Sequence, residues 1–295
     1  MTIVIDNNGS KFEYNYFNNP IGYNNKSLKT FVLPASQNIY HFLYDFVGQI
    51  LLIVKNENAS QIKIIVTFHW DDDRSDNIIL FLKNFFKKIQ IDNYLIVKNN
   101  ESFNDTDYYY VHECNPPSIA MHKEIYDAFM NAYPTEIKLP NKKVYLSRLK
   151  TDNPTNPMRP QRIDDEKKIE DFFIKNGFEI FCRSNFGETD IISDIKYFRD
   201  VSVLVGLSGA GLTNSIFMQP GNTIIEISVP LISHCQHEEN FFPEKRILAR
   251  HLFYGISSFI KNHLYIQIPC FDNSADNVIN KIKNGPLYNI IRNDI

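Results

Sequence analysis

The run Val201-Ser-Val-Leu-Val-Gly-Leu207 passes directly into Ser208-Gly-Ala-Gly211 and then into Leu212-Thr-Asn214. Only Ser202 interrupts its apolar character, so it predicts a strand buried on both faces, the kind that lies inside a parallel sheet covered by helices. A short helix is expected over Leu212–Met218. The glycines let a ligand approach the backbone, and the free N–H groups and positive dipole end of the next helix favour an anion. The spacing is neither G-x-G-x-x-G nor G-x-x-x-x-G-K-[ST], which removes support for dinucleotide oxidoreductases and P-loop enzymes. The alternative reading is a tight turn whose glycines serve only helix–strand packing.

The same alternation runs through the chain. Leu28–Leu33 predicts a strand, Pro34–Asn38 a turn capped by Ser36 or Asn38, and Ile39–Lys55 a helix. Strands at Ile62–Phe68, Tyr94–Val97 and Tyr108–Val111 and a helix at Ile78–Ile89 follow, which predicts a parallel sheet covered on both faces. The pattern resets between Pro134 and Pro140. A strand at Lys143–Ser147, a helix at Asp164–Asn176 stopped by Gly177, a strand at Phe178–Cys182 and a helix at Thr189–Arg199 then lead to the Val201 strand. Strands at Thr223–Ser228 and Tyr265–Ile268 and an amphipathic helix over Ala275–Ile291 complete the pattern. The expected organisation is α/β, with one domain over 1–140, a second over 141–270 and a C-terminal helix within 271–295 that packs back on the body.

The 31 Lys and Arg against 34 Asp and Glu leave a net charge of −3, which gives no general attraction to nucleic acid. Any anion must be held locally. The apolar window Ile39–Val54 contains His41, Asp45 and Gln49 and falls short of the roughly 20 apolar residues of a membrane span. The four cysteines, Cys114, Cys182, Cys235 and Cys270, form no C-x-x-C pair, and the start of the sequence lacks the features of a secretory signal. A cytoplasmic protein without a membrane span is the expectation.

Ligands of open α/β sheets sit beyond the carboxyl ends of strands. Ser147 and Arg148 end one strand, and Arg159 and Arg162 follow in a Pro-rich loop. Guanidinium groups pair well with a diphosphate, although a solvated or carboxylate-paired face is the default for Arg. Glu226 places a carboxylate inside an apolar strand, where it needs a partner or accepts from ribose hydroxyls.

Taken in order, Tyr145-Leu-Ser-Arg148, Arg162-Ile-x-Asp-Glu166, Asn176-Gly-Phe178, Val205–Asn214, Phe217-Met-x-Pro-Gly221 and Ile224-Ile-Glu226 resemble the core of glycosyltransferase family 61. Asn38-Ile-Tyr-His-Phe-Leu-Tyr-Asp45 resembles its N-terminal segment more faintly. Ser208 stands where the family usually has His, and Asp165-Glu166 where it usually has Asn-Glu. The resemblance implies a GT-B-like architecture of two facing Rossmann-like domains. It also implies inverting transfer from a nucleotide sugar, typically UDP-linked xylose or N-acetylglucosamine, to a glycan acceptor, with no cofactor or obligatory metal. Ser147, Arg148, Arg162, Ser208, Gly209, Ala210, Gly211, Leu212, Asn214 and Glu226 are then the candidate donor-binding residues.

Such a reaction needs a base for the acceptor hydroxyl and a sink for the departing diphosphate. His41 and Asp45 lie one helical turn apart, so the carboxylate can orient the imidazole. His41 is the first candidate for the base, Asp45 the second and Glu113 the reserve; the other reading is a surface pair that only hydrates a helix. His69, beside Trp70 and Asp71–Asp73, and His112 sit at strand ends where each could equally be a polar loop residue at the rim, and for His69 acceptor contact is as good a role as catalysis. His234-Cys-Gln-His237-Glu-Glu239 mixes ligand types but lacks a standard metal spacing. A catalytically idle nucleotide-sugar or glycan-binding module is the competing function, and it would keep Arg148 and Gly209–Gly211 without needing His41 or Asp45.

Overall fold

Strands without a polar face must be covered on both sides, and two sheets meet that requirement in the computed structural model. It describes residues 2–6, 11–14, 28–36, 38–68, 73–98, 109–111, 122–134, 138–150, 162–183, 187–228, 262–270 and 272–292. The chain divides into two units, Met1–Glu136 with Phe186–Asp194, and Ile137–Asn185 with Ile195–Ile295.

The first unit contains β1 (Thr2–Asp6), β2 (Lys11–Tyr14) and β3 (Lys29–Pro34), then a π-helical segment, His41–Val47, that runs into α1 (Gly48–Asn56). After these come β4 (Ile62–Thr67), α2 (Asp73–Lys88), β5 (Tyr94–Val97), β6 (Tyr109–Val111) and α3 (His122–Ala132). The six-stranded sheet has the order β2-β1-β6-β3-β4-β5. Strands β6, β3, β4 and β5 are mutually parallel, whereas β1 is antiparallel to both β2 and β6. The expectation of a purely parallel sheet in this half is corrected accordingly. The few residues between β1 and β2 are too short for a crossover, so that pair must be antiparallel. Phe31, Val32 and Leu33 of β3 and Ile64, Ile65 and Val66 of β4 are all buried. Rings of Phe42, Phe81, Phe85 and Phe129 pack together with centroids 5.3–5.9 Å apart, which joins the π segment, α2 and α3. Helix α3 was not expected; Ile125, Phe129 and Ala132 are its buried stripe.

The second unit contains β7 (Lys142–Ser147), α4 (Glu166–Lys175), β8 (Glu179–Cys182), most of α5 (Ile191–Arg199), β9 (Val201–Leu207), a 3₁₀ helix (Ala210–Phe217), β10 (Thr223–Ser228) and β11 (Leu264–Pro269). It ends in α6 (Ala275–Lys283) and α7 (Leu287–Arg292). The five strands are parallel in the order β11-β10-β9-β7-β8, a doubly wound arrangement. Tyr145, Val203, Val205, Ile225, Ile227 and Ile268 form one face of the core, packed with Phe172 and Phe173 of α4 and Val278 and Ile282 of α6.

The single helix expected over Ala275–Ile291 is two helices. Gly285 and Pro286 divide it, because proline has no N–H for the helix interior and glycine costs helix stability there. The buried Lys143 amine donates to the Asn176 carbonyl at 2.7 Å and the Ile291 carbonyl at 2.6 Å, tying β7 to the end of α4 and to α7. Burial holds its pKa below the usual lysine value.

Gly206 is the close-approach point of this unit. A Cβ there would lie 3.1 Å from Leu146 Cβ and 3.4 Å from a Leu212 methyl, so the bare backbone lets the 3₁₀ helix settle on the sheet. Gly206→Val is expected to cost about 1–3 kcal/mol of stability through overpacking. Denaturant unfolding measures this, and an unchanged midpoint would refute the close approach.

Candidate active site

In the second sheet, β7 lies between β8 and β9, and the chain leaves the carboxyl ends of β7 and β9 toward opposite neighbours. That is the topological switch point at which open α/β sheets bind ligands. Ser147 ends β7 and Leu207 ends β9, so Arg148 and Ser208-Gly209 are the first residues beyond the sheet. A Cβ on Gly209 would be 3.0 Å from Arg148 Nη1 and 3.4 Å from Arg162 Nη1. Two guanidinium groups thus meet over one stretch of bare backbone. Arg162 Nη1 also donates to the Ser208 carbonyl. Gly209 is extended, so space rather than conformation calls for glycine there.

The helix expected over Leu212–Met218 begins at Ala210 and is 3₁₀ rather than α. Its first bond runs from the Leu212 N–H to the Gly209 carbonyl at 3.1 Å. Asn214 Nδ2 donates to the Gly211 carbonyl at 2.9 Å and steadies the turn. Ala210 and Gly211 are small enough for the eclipsed i, i+3 packing of such a turn. The N–H groups of Ala210 and Gly211 precede the helix's own bonding and stand at its positive end.

Glu166, the first residue of α4, fixes the position of Arg148. Its Oε1 accepts from the Arg148 N–H at 2.7 Å and from the Tyr145 hydroxyl at 3.1 Å, and the residue is only 3% exposed. Burial and the adjacent Glu166 push the Tyr145 phenol well above its usual pKa, which keeps it a donor. Asp165 caps α4 by accepting from the Lys168 N–H at 3.1 Å. Glu166 was assigned no role from its position in the sequence; its signal was a carboxylate beside a helix cap, close to Arg162.

The other candidate donor residues fall into two groups. Ser147 Oγ accepts from the Leu149 N–H at 3.1 Å and so closes the turn behind Arg148. The Ser208 hydroxyl turns toward the Ile227 carbonyl and Ser228 Oγ, at 3.4 and 3.5 Å, and the residue is buried. Leu212 is buried against Gly206. Glu226 lies further inside, paired in register with Gly206, and accepts from the Tyr265 hydroxyl. Arg148, Arg162, Ser208 and Gly209 are therefore brought together at the strand ends, while Glu226 is fully buried within the sheet.

In the first unit, β3 lies between β4 and β6, which makes its carboxyl end the corresponding switch point. Asn38 Oδ1 accepts from the Tyr40 N–H at 2.9 Å where the chain turns from β3 into the helical segment. The segment that follows is π-helical over His41–Val47, a correction to the regular helix expected from Ile39 to Lys55, and its last wide turn is closed by the Gly48 N–H donating to the Leu43 carbonyl. His41 Nδ1 is 2.5 Å from Asp45 Oδ2. A carboxylate oxygen accepts, so this contact makes Nδ1 the protonated nitrogen and leaves Nε2 as the proton acceptor. The His41 side chain is 54% exposed. Asp45 Oδ1 is buried and has no hydrogen-bond partner among the described residues. Tyr40 stands edge-on to the His41 ring, and burial followed by the Asp45 charge pushes its phenol up to about 12. It therefore remains neutral at any working pH.

His69, Trp70, Asp71, Asp72, His112, Glu113, Arg159 and the His234–Glu239 stretch lie outside the described residues, and Asp73 opens α2. Among the described residues no three His, Cys, Asp or Glu side chains converge as a metal site.

The family model described as Glycosyltransferase 61 matches residues 39–225, from just before the π segment to within β10. Comparison with curated proteins gives no match.

Removing either guanidinium should weaken the anion site more than the fold. Arg148→Met and Arg162→Met are expected to raise the Kd for pyrophosphate by at least about tenfold, since each removes a charge-assisted hydrogen-bonding group of roughly 1.5–3 kcal/mol. Isothermal titration would show this, with thermal melting as the control. Glu166→Ala should instead lower stability by about 1–3 kcal/mol as well, because it deprives the buried Tyr145 hydroxyl and the Arg148 N–H of their acceptor.

Proposed function

The chain belongs to glycosyltransferase family 61 and is a glycosyltransferase, and from that premise we propose that it moves xylose or N-acetylglucosamine from a UDP-linked donor to a hydroxyl of a glycan acceptor, with inversion and without a metal. The observation that carries this reading is the convergence of Arg148 and Arg162 on Gly209 at the switch point of the second sheet. Two positive groups over bare backbone at the start of a helix suit a diphosphate.

In this reading the donor diphosphate lies against Arg148, Arg162 and the N–H groups of Gly209, Ala210 and Gly211, with Ser147, Ser208, Leu212 and Asn214 shaping the loop. Glu226, fully buried within the sheet and accepting from the Tyr265 hydroxyl, is not placed against the donor, a correction to its expected role toward the ribose. The first unit is the acceptor half and the second the donor half of a GT-B transferase, with the boundary near Pro140 and the C-terminal helices belonging to the donor half. His41 Nε2 takes the proton of the acceptor hydroxyl, and Asp45 stabilises the imidazolium that results. The acceptor oxygen bonds to the anomeric carbon as the bond from that carbon to the diphosphate oxygen breaks. A single displacement inverts the centre, and UDP leaves with its charge held by the two arginines. They supply the positive charge that a metal ion provides in other transferases. No helix among the described residues is long and apolar enough to cross a membrane, and the cytosol is the proposed compartment.

A thermal-shift panel of UDP, GDP and CMP sugars tests the donor, because a ligand bound only by the native state raises Tm with its concentration. UDP sugars are expected to raise Tm and the others to leave it unchanged; a response to another nucleotide alone would remove the UDP assignment. His41→Ala and Asp45→Ala should lower kcat by about 10²–10⁴-fold, the usual contribution of general base catalysis, while retaining the UDP response. Donor binding with no turnover by the wild type on any acceptor would instead favour a binding module.

A further inference from the structure

The turn that carries His41 departs from α-helical geometry in a way that separates its side chains. In an α-helix, positions three and four apart share a face, so residues 41, 44, 45 and 48 would form one stripe. Here His41 is exposed and Asp45 partly so, yet Tyr44 and Gly48 are buried. The wider π turn splits the stripe. Tyr44 turns inward until its ring stacks on that of His122 at 5.9 Å and its hydroxyl lies 2.8 Å from His122 Nδ1. Tyr44 is 2% exposed and His122 1%. His122 is the first residue of α3, an element remote in sequence from the turn.

π turns are rare and persist where the surroundings hold them, often at functional sites. A buried hydrogen bond is such a hold, because relaxing the turn would strand both of its partners away from water. Tyr40 links the pair to the outer face: its ring packs tilted on Tyr44 at 5.3 Å and edge-on to His41 at 5.2 Å. We propose that Tyr44 and His122 are a positioning pair that holds the π turn in its wide form, so that His41 and Asp45 keep their contact on the outer face. The kinetic consequence rests on the reading of His41 as the proton acceptor; the structural consequence does not.

Two readouts keep these apart. In histidine-labelled protein, the Nδ1 proton of His41 should give a far-downfield NMR signal, as a contact of 2.5 Å to a carboxylate implies. Tyr44→Phe should broaden or remove that signal and lower kcat about tenfold, with donor KM unchanged within about twofold, as expected when a reacting group is misplaced while ground-state binding is untouched. His122→Asn, which keeps a hydrogen-bonding group near the place of Nδ1, should retain most of both. The double variant should lose no more than the worse single variant, because the residues act as a unit. A folded Tyr44→Phe with the His41 signal and kcat intact overturns the proposal. Should Tyr44→Phe not fold, His122→Gln displaces the hydrogen-bonding group by one bond. A weakened signal in that variant supports the pair, and an unchanged one overturns it. Full activity of His41→Ala would remove the base assignment, and the NMR signal would still decide the positioning role.

Discussion

A strand flanked by parallel neighbours whose connections depart on opposite sides leaves its carboxyl end uncovered, and the site in the second unit depends on that constraint. β7 occupies this place between β8 and β9. Everything that gathers there is secured from behind. Glu166 holds the Arg148 backbone from α4, Ser147 closes the turn, and Gly206 lets Leu212 of the 3₁₀ helix close onto the sheet. Both guanidinium groups reach the bare backbone at Gly209, where a side chain would collide with them.

The sequence was most legible where the strands are buried on both faces. β9 follows an apolar run broken only by Ser202, the apolar centre of β10 is broken only by Glu226, and the small residues after Leu207 mark the turn they form. Legibility failed where local pattern is weak or tertiary contact decides. β1 and β2 are short strands that depend on a partner across the sheet, and α3 has only Ile125, Phe129 and Ala132 to announce it. The break at Gly285-Pro286 was readable from proline chemistry alone, but the amphipathic pattern on either side concealed it.

The candidate site divides in the same way. Arg148, Arg162, Gly209, His41 and Asp45 are visible as residue types at strand ends or at helical spacing, and their pairings are present in the structure. Glu166 was not legible as a site residue, because its role is to accept from a backbone N–H eighteen positions earlier. Nor was the π turn, since no periodicity in His41–Val47 distinguishes it from an α-helix; Tyr44 sinks toward His122, which is 78 positions away.

Strand β7 is held at both ends. Its carboxyl end presents Arg148, and near its start the Lys143 ammonium is shared between the carbonyls of Asn176 and Ile291. Cutting the chain before Ile291 would take one of its two carbonyl partners from that buried ammonium, in the very strand that ends at Arg148. The last helical turn is thus part of what supports β7, and deletions or purification handles placed there would disturb the strand that ends at Arg148.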